Sequence, residues 1–193
     1  MRRHPSMTRA AAALGLALTL LAADPAEATV AVQVDRAQLV EMSDLVVRAT
    51  VVGATSRWNE DRTQIITLTR LAVTQYVKGD GPAELVLRQF GGEVEGLVSR
   101  VSGDARLEAG ADVVLCLRRG AGVVYLTAMA QSAWYVGAQA PGVAPEVHRD
   151  LSGLTLARMQ AGQVRIIEHP TADPRETLPQ LVSSLAALAR ARR

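Results

Sequence analysis

One run of the sequence, TQIITLTRLAVTQYV (63–77), has apolar residues on both of its alternating faces. Its β-branched residues favour an extended strand. One face carries Ile65, Leu71, Val73 and Val77, and the other carries Ile66, Leu68, Ala72 and Tyr76. A strand of this kind must be covered on both sides. A curled strand in a small barrel meets that need, because other elements pack inside and outside it.

Further strands are predicted on both sides of this run. The β-branched stretch 45–52 precedes it across the polar segment SRWNEDR (56–62), and the two runs would pair as a hairpin with an exposed tip. After the turn KGDGP (78–82), strands are predicted at 84–90, 112–119, 123–130 and 133–136, with 97–111 as a loop. Residues 151–159 fit a strand or one turn of helix, and 163–167 fit an edge strand.

Two helices are predicted outside the strands. Asp35 and Gln38 have the spacing of a capping box before a short helix. Near the C-terminus, apolar residues keep helical spacing at Leu178, Leu181, Val182, Leu185 and Leu188. The sequence therefore predicts a β-dominated α+β fold, a small OB-like barrel of five to six strands flanked by a short N-terminal helix and a C-terminal amphipathic helix. A flat sheet would leave long apolar edges exposed.

The first 28 residues have the pattern of a secretory signal peptide. Arginines at positions 2, 3 and 9 precede the uncharged run from Ala10 to Ala23, and Ala26-Glu27-Ala28 supplies small residues before a cut between Ala28 and Thr29. The run covers 14 residues, whereas a spanning helix needs about 20. We therefore expect a secreted or periplasmic protein with no membrane span after cleavage. Residues 29–193 would form one domain, with a core at 39–136 and an extension at 137–193.

Charge and cysteine content restrict the partners. Without the predicted signal peptide, the chain keeps 18 basic and 17 acidic side chains, so we expect no attraction to nucleic acid. Cys116 is the only cysteine, which excludes an internal disulfide. It lies in the apolar run DVVLCLRR, and this position predicts a buried, unreactive thiol.

The stretch RQFGGEVEGL (88–97) contains the densest glycine cluster. Gly91, Gly92 and Gly96 match neither the dinucleotide fingerprint nor the phosphate loop, and the neighbouring Glu93 and Glu95 would repel a phosphate. We interpret the glycines as a bend or bulge in a barrel strand. Glu93, Glu95 and Asp104 are too widely spaced for a calcium loop. The sequence predicts no metal and no cofactor.

No catalytic residue is predicted. His148 and His169 lack metal-ligand spacing, and Ser99, Ser102 and Ser132 lack a nucleophile elbow or an identifiable base. The remaining candidates for binding are Trp58, Trp134 and Tyr135, together with Glu93 and Glu95. For the aromatic residues, core packing is the alternative to an exposed binding surface.

The order of motifs over residues 39–136 resembles that of a poorly characterised exported bacterial domain. The matching residues are Gly53, Ser56 and Trp58; Ile65, Thr67, Leu71 and Val73; Lys78 and Gly79; Gly91, Gly92 and Gly96; Gly110, Val113, Val114, Leu115 and Leu117; and Tyr125 and Gln131. The architecture is similar to netrin-like modules, which include the tissue inhibitors of metalloproteinases. Those inhibitors use an N-terminal cysteine and several disulfides, whereas this chain has one cysteine, at position 116.

Three functions compete on this basis. We expect a non-enzymatic exported binding module that engages an exported protein or another component of the bacterial envelope. A cryptic envelope hydrolase or metal-dependent enzyme is the first alternative, and a serine or histidine paired with a carboxylate in a cleft would favour it. A structural assembly subunit with the C-terminal helix at its interface is the second. The sequence does not predict an oligomeric state.

Overall fold

The computed structural model describes residues 29–167 and 174–191. Residues 1–28 and His169 lie outside these ranges, so the signal peptide stays a prediction. Two helices are described, α1 (Arg36–Met42) and α2 (Leu178–Ala191). The strands are β1 (Thr29–Val32), β2 (Leu45–Trp58), β3 (Ile65–Lys78), β4 (Glu84–Phe90), β5 (Gly92–Val94), β6 (Leu97–Ser99), β7 (Asp112–Arg119), β8 (Val124–Leu126), β9 (Ala133–Val136), β10 (Glu146–His148), β11 (Leu154–Gln160), β12 (Gln163–Ile166) and β13 (Glu176–Thr177).

Five strands close into a barrel. β2 pairs with β3, β3 with β4, β4 with β8, β8 with β7, and β7 returns to β2. The β4–β8 pair is parallel and the other four pairs are antiparallel. This ring has the strand order of a five-stranded OB-type barrel. The predicted fold class, a small OB-like barrel with a helix on each side of it in the chain, is confirmed.

The long strand β2 supplies residues to two separate cores. Val47, Ala49 and Val51 face the barrel interior, where they pack with residues of the other barrel strands such as Leu71 and Leu115. Register shifts in the β2–β3 pair fall between residues 46 and 47, 48 and 49, and 51 and 53. Each irregularity increases the local twist, so the strand can curl around the barrel.

The second core lies between the outside of the barrel and the two helices. Val46 of β2 packs there with Cys116 and Trp134, against Leu39 of α1 and Leu181 of α2. The predicted capping box of α1 is present, because Asp35 accepts from the amide of Gln38 and the Gln38 side chain accepts from the amide of Asp35. The apolar spacing of the C-terminal segment is thus explained by docking of α2 on the barrel.

Some elements differ from the sequence predictions. The segment 123–130 is a three-residue strand, β8, followed by a turn in which Met129 has a φ of 53°. Within the predicted loop 97–111, residues 97–99 form β6. Of the two alternatives predicted for 151–159, a strand or one turn of helix, the structure has the strand, β11, which pairs in parallel with β1. The β1–β11 pairing joins distant parts of the chain, so local periodicity did not reveal it.

A separate three-stranded sheet lies beside the barrel. It has the order β1-β11-β12, with β12 at its edge as predicted. Leu154 of β11 packs against the barrel core, which places this small sheet on the outside of the barrel. Among the described residues, no helix has the length and apolar character needed to cross a membrane.

Candidate functional site

The glycine cluster forms a hairpin at the end of β4. Gly91 and Gly92 have φ values of 90° and 132°, and the following strands β5 and β6 pair with each other. Their turn consists of Glu95 and Gly96, both with positive φ, as short hairpin turns require. The predicted bend is therefore accompanied by a complete small hairpin, which we call the glycine hairpin (residues 91–99).

The glycine hairpin borders a cleft with a volume of about 630 Å³. Besides this hairpin and the adjoining end of β4, three further segments line the cleft: Thr67 and Thr69 of β3, the loop 100–107 and the loop 150–153. The loops meet where Gly103 approaches Gly153 and Leu154 so closely that a Cβ at Gly103 would contact both. The cleft is thus built from residues that lie up to 99 positions apart in the chain, from Ala54 to Gly153.

Hydroxyl groups fix the side of the cleft formed by β3. The Ser56 and Thr67 hydroxyl oxygens are 3.0 Å apart, and the Thr67 hydroxyl donates to the Gly91 carbonyl at 2.7 Å. Gly92 lies against the same pair, because a Cβ there would be 2.2 Å from Ser56 Oγ. Glycine at position 92 therefore allows the hairpin to approach β3 directly.

Asp104 is a half-buried carboxyl group of the cleft. Burial raises its pKa above the ordinary value, while hydrogen bonds from the Ala105 amide and the Gln89 side chain act in the opposite direction. The Ala105 amide donates to Asp104 Oδ1 at 2.9 Å, and Gln89 Nε2 donates to the Ala105 carbonyl at 2.8 Å. Gln89 thus connects the end of β4 to the loop that carries Asp104.

The two glutamates of the glycine hairpin are exposed. Glu93 lines the cleft, whereas Glu95 lies in the hairpin turn and is 4.0 Å from the Arg62 guanidinium at the tip of the β2–β3 hairpin. Among the described residues, no group of three His, Cys, Asp or Glu side chains has an arrangement suited to a metal ion. Glu93 and Glu95 are therefore surface residues, of which only Glu93 lines the cleft.

The three aromatic candidates occupy different environments. Trp134 is 1% exposed and belongs to the core beneath the helices. Tyr135 is half-buried, and its hydroxyl donates to the Arg106 carbonyl at 3.0 Å, which fixes one of the loops that line the cleft. Trp58 is half-buried near the β2–β3 tip, with the Arg62 guanidinium 5.9 Å from its ring centroid. None of the three lines the cleft.

The residues considered for catalysis do not lie together in one place. Ser99 and Ser102 line the cleft, but the described histidine, His148, is outside it and stacks on Tyr135 with ring centroids 5.6 Å apart. Ser132 is buried and its hydroxyl accepts from the Ala128 amide. Cys116 is buried in the core under the helices, and burial raises the pKa of its thiol to about 12.

Sequence reasoning missed several residues of the cleft. Gln89, Thr69, Arg100 and Ser152 line it, and none belongs to a motif. The available signal was the glycine cluster beside them, since glycines mark places where backbone segments approach closely. Their convergence depends on the contact between the loops 100–107 and 150–153, which the sequence does not encode as a local pattern.

Comparison with known proteins identifies no relative. A scan against protein-family models gives no match, and no curated protein matches the sequence significantly. The resemblance to netrin-like modules therefore stays a prediction, while the OB-like barrel architecture is a property of the structure itself.

Proposed function

We propose that this protein is an exported, non-enzymatic binding module, and that the cleft beside the glycine hairpin is its ligand site. The observation that carries the proposal is the lining of the cleft, which brings polar side chains of four chain segments around one concave volume of about 630 Å³. Concave sites with a few convergent polar groups are the usual binding sites of proteins.

The charges of the cleft favour a ligand without net charge. Carboxylates at positions 93, 104 and 150 are accompanied by guanidinium groups at positions 100 and 106, so neither sign is in large excess. Five hydroxyl side chains line the same volume: Thr67, Thr69, Ser99, Ser102 and Ser152. Such a mixture of donors and acceptors suits a hydroxyl-rich molecule, and we propose a neutral saccharide of the cell envelope.

The barrel type supports the same proposal by analogy. Small barrels of this type bind oligonucleotides or oligosaccharides on their strands and loops. Of these two ligands the oligonucleotide is polyanionic, and the nearly balanced charge of residues 29–193 argues against it. Architecture alone does not define function, so this argument is secondary to the lining of the cleft.

Isothermal titration calorimetry with a panel of neutral oligosaccharides tests the proposal. We expect saturable binding, weakened about tenfold or more by Asp104→Asn or Arg100→Ala, since each removes a polar contact of the cleft. The matched control is Arg118→Ala, an exposed arginine of β7 outside the cleft. Absence of binding across the panel, or equal effects of all three variants, would contradict the proposal.

A mass-spectrometric assay of the same mixtures tests the enzymatic alternative. If the protein is a binding module, every oligosaccharide will be recovered intact after prolonged incubation. Cleavage that is lost in the Asp104→Asn variant would instead support an envelope hydrolase, because Asp104 would then act as a general acid. When the chain is immobilised and an envelope fraction is passed over it, it should retain saccharide-bearing material that the immobilised Asp104→Asn variant does not retain.

A further inference from the structure

The side chain of Thr69 points to the interior side of the barrel. Thr69 lies on β3, two residues from Leu71 of the barrel core, and it pairs with Ala54 of β2 and Leu87 of β4. Residues two positions apart on a strand, and residues paired across strands, share one side of a sheet. Both Ala54 and Thr69 line the cleft beside the glycine hairpin. This cleft therefore reaches the end of the barrel interior.

Thr69 marks the inner end of this cleft. It is 1% exposed, whereas every other polar side chain that lines the cleft belongs to a half-buried or exposed residue. Its partner in β4, Leu87, is fully buried in the barrel core. A ligand that contacts Thr69 must therefore enter the cleft as far as the barrel core.

The Thr69 hydroxyl is an unused hydrogen-bonding group. Its polar neighbours are engaged elsewhere, because the Thr67 hydroxyl donates to the Gly91 carbonyl at 2.7 Å and Gln89 Nε2 donates to the Ala105 carbonyl at 2.8 Å. Within the part of the chain that the structure describes, no group forms a hydrogen bond with the Thr69 hydroxyl. Buried polar groups in folded proteins are almost always hydrogen-bonded. The bond to Thr69 must therefore come from water or from a ligand.

Packing does not account for threonine at this position. Valine has nearly the same shape and is equally favoured in strands. It would fill the same space beside Leu87 without an unbonded hydroxyl, which costs stability where it is buried. The hydroxyl of Thr69 is thus explained by what enters the cleft.

We propose that Thr69 determines the specificity of the cleft, and that the ligand is the end of a saccharide chain. This inference rests on the function proposed above for the same cleft. A terminal sugar unit can enter lengthwise and bring a hydroxyl group, which both donates and accepts, to Thr69. A unit inside a chain is linked on both sides, so it lies across the mouth of the cleft and reaches exposed residues such as Arg100 and Ser152.

Thermal unfolding without ligand tests whether the hydroxyl is unused. Thr69→Val should leave the Tm within about 1 °C of the parent or raise it, because no hydrogen bond within the protein is lost. Thr67→Val, on the same side of the same strand, should lower the Tm by about 2–4 °C, since it removes the bond to the Gly91 carbonyl. Equal decreases in the two variants would overturn the proposal, because the Thr69 hydroxyl would then be bonded within the protein.

Calorimetric titration with the panel of neutral oligosaccharides tests the role of Thr69 in binding. Thr69→Val should weaken binding by about tenfold or more, and Thr69→Ser, which keeps the hydroxyl, should bind like the parent. The matched control is Thr55→Val, an exposed threonine of β2 outside the cleft. Equal binding by the parent and Thr69→Val would overturn this inference and leave the proposed function standing, whereas no binding by the parent would overturn both.

Stoichiometry tests whether a chain end is bound. The oligosaccharide of the panel that binds most tightly is compared with longer unbranched chains of the same sugar. If Thr69 receives a chain end, one protein molecule binds per chain, and the Kd per chain stays constant as the chain lengthens. Several protein molecules bound along one long chain would overturn the proposal, because internal units would then be the ligand.

Discussion

Gly92 is the residue at which the glycine hairpin depends most directly on the absence of a side chain. Its φ is 132°, and a Cβ would lie 2.2 Å from Ser56 Oγ and 2.5 Å from Thr67 Oγ1. We expect Gly92→Ala to lower the free energy of unfolding by about 2–3 kcal/mol. The new Cβ would strain the backbone at this positive φ and would also collide with the Ser56 and Thr67 side chains. Urea unfolding followed by circular dichroism measures this change.

Gly96 provides the matched comparison. It also has a positive φ, 80°, but a Cβ there would meet no atom within 4 Å. Gly96→Ala should therefore lower the free energy of unfolding by only about 1 kcal/mol, which is the effect of the positive φ without a steric conflict. Equal losses in the two variants would show that the contact with Ser56 and Thr67 is unimportant.

Cys116 should be inert in the folded protein. Burial raises the pKa of its thiol to about 12, opposed in part by a hydrogen bond with Ser43. An unfolded thiol ionises near pH 8.5, so between that pH and 12 the unfolded state loses a proton that the folded state keeps. The stability contributed by this group is complete below about pH 8.5 and is lost as the pH rises towards 12.

Two measurements check this prediction for Cys116. A thiol reagent should label the native chain at pH 8 far more slowly than the chain in guanidinium chloride. In addition, the alkaline decrease in unfolding free energy should be smaller in Cys116→Ala than in the parent, when each is compared with its own value at pH 7. Rapid native labelling, or parallel pH profiles, would show that the thiol is accessible.

Glu93 and Glu95 are expected to contribute little to stability. Both are exposed, and the Arg62–Glu95 pair at 4.0 Å is solvated on both sides. Glu93→Ala and Glu95→Ala should each change the free energy of unfolding by less than about 0.5 kcal/mol. Thermal melts with and without calcium should coincide for the parent and both variants, and a calcium-dependent shift that the variants lose would reveal a metal site.

At the scale of the element, α2 stabilises the fold through one buried face. Leu181 and Leu185 are fully buried against the barrel, while Ser183 between them is exposed. Leu181→Ala should lower the free energy of unfolding by about 2–5 kcal/mol through lost burial and a cavity. Ser183→Ala on the same helix should have an effect within about 0.5 kcal/mol, and a similar loss in both variants would mean that α2 is not docked as described.

The elements also differ in how far the sequence predicted them. The capping box of Asp35 and Gln38 and the spacing of Leu178 to Leu188 depend on residues within a few turns of each other, so both helices were predicted. β1 was not predicted, because Thr29–Val32 is a strand only through its pairing with Leu154–Ala157. The glycine hairpin was predicted as a bend, because a cluster of glycines indicates a change of direction and does not specify the pairing that follows.

At the scale of the whole molecule, the two cores are connected through shared strands. Val46 and Val47 are adjacent in β2, yet the first packs under the helices and the second inside the barrel. Because loss of either core exposes residues of the same strand, we expect a single cooperative unfolding transition. Fluorescence of Trp134, measured in a Trp58→Phe variant, should change at the same urea concentration as the circular dichroism signal of the strands.

The outcome that would contradict this coupling is a fluorescence transition at a lower urea concentration than the loss of strand signal. Such a result would mean that the helices leave the barrel before it unfolds. Leu181→Ala provides the control, since it weakens the core beneath the two helices and leaves the residues of the barrel interior unchanged. In a coupled molecule it should shift both signals together.

The sequence by itself determined the local features of this protein. The run 63–77, apolar on both faces, predicted a covered and curled strand, and that strand is β3 of the closed barrel. Cys116 was predicted as buried from its apolar neighbours, and it is buried. These predictions succeeded because side-chain periodicity and neighbouring residue types act over short distances along the chain.

Only the tertiary structure decided which distant segments meet. Gln89, Asp104 and Ser152 line one cleft because the loops around Gly103 and Gly153 pack together. Likewise, Val32 and Ile166 lie on the same side of one sheet because both pair with Ala157. The physical reason is that strand pairing and loop contacts are selected by the packing of the whole chain, whereas the pattern of each segment specifies only its own conformation and buried face.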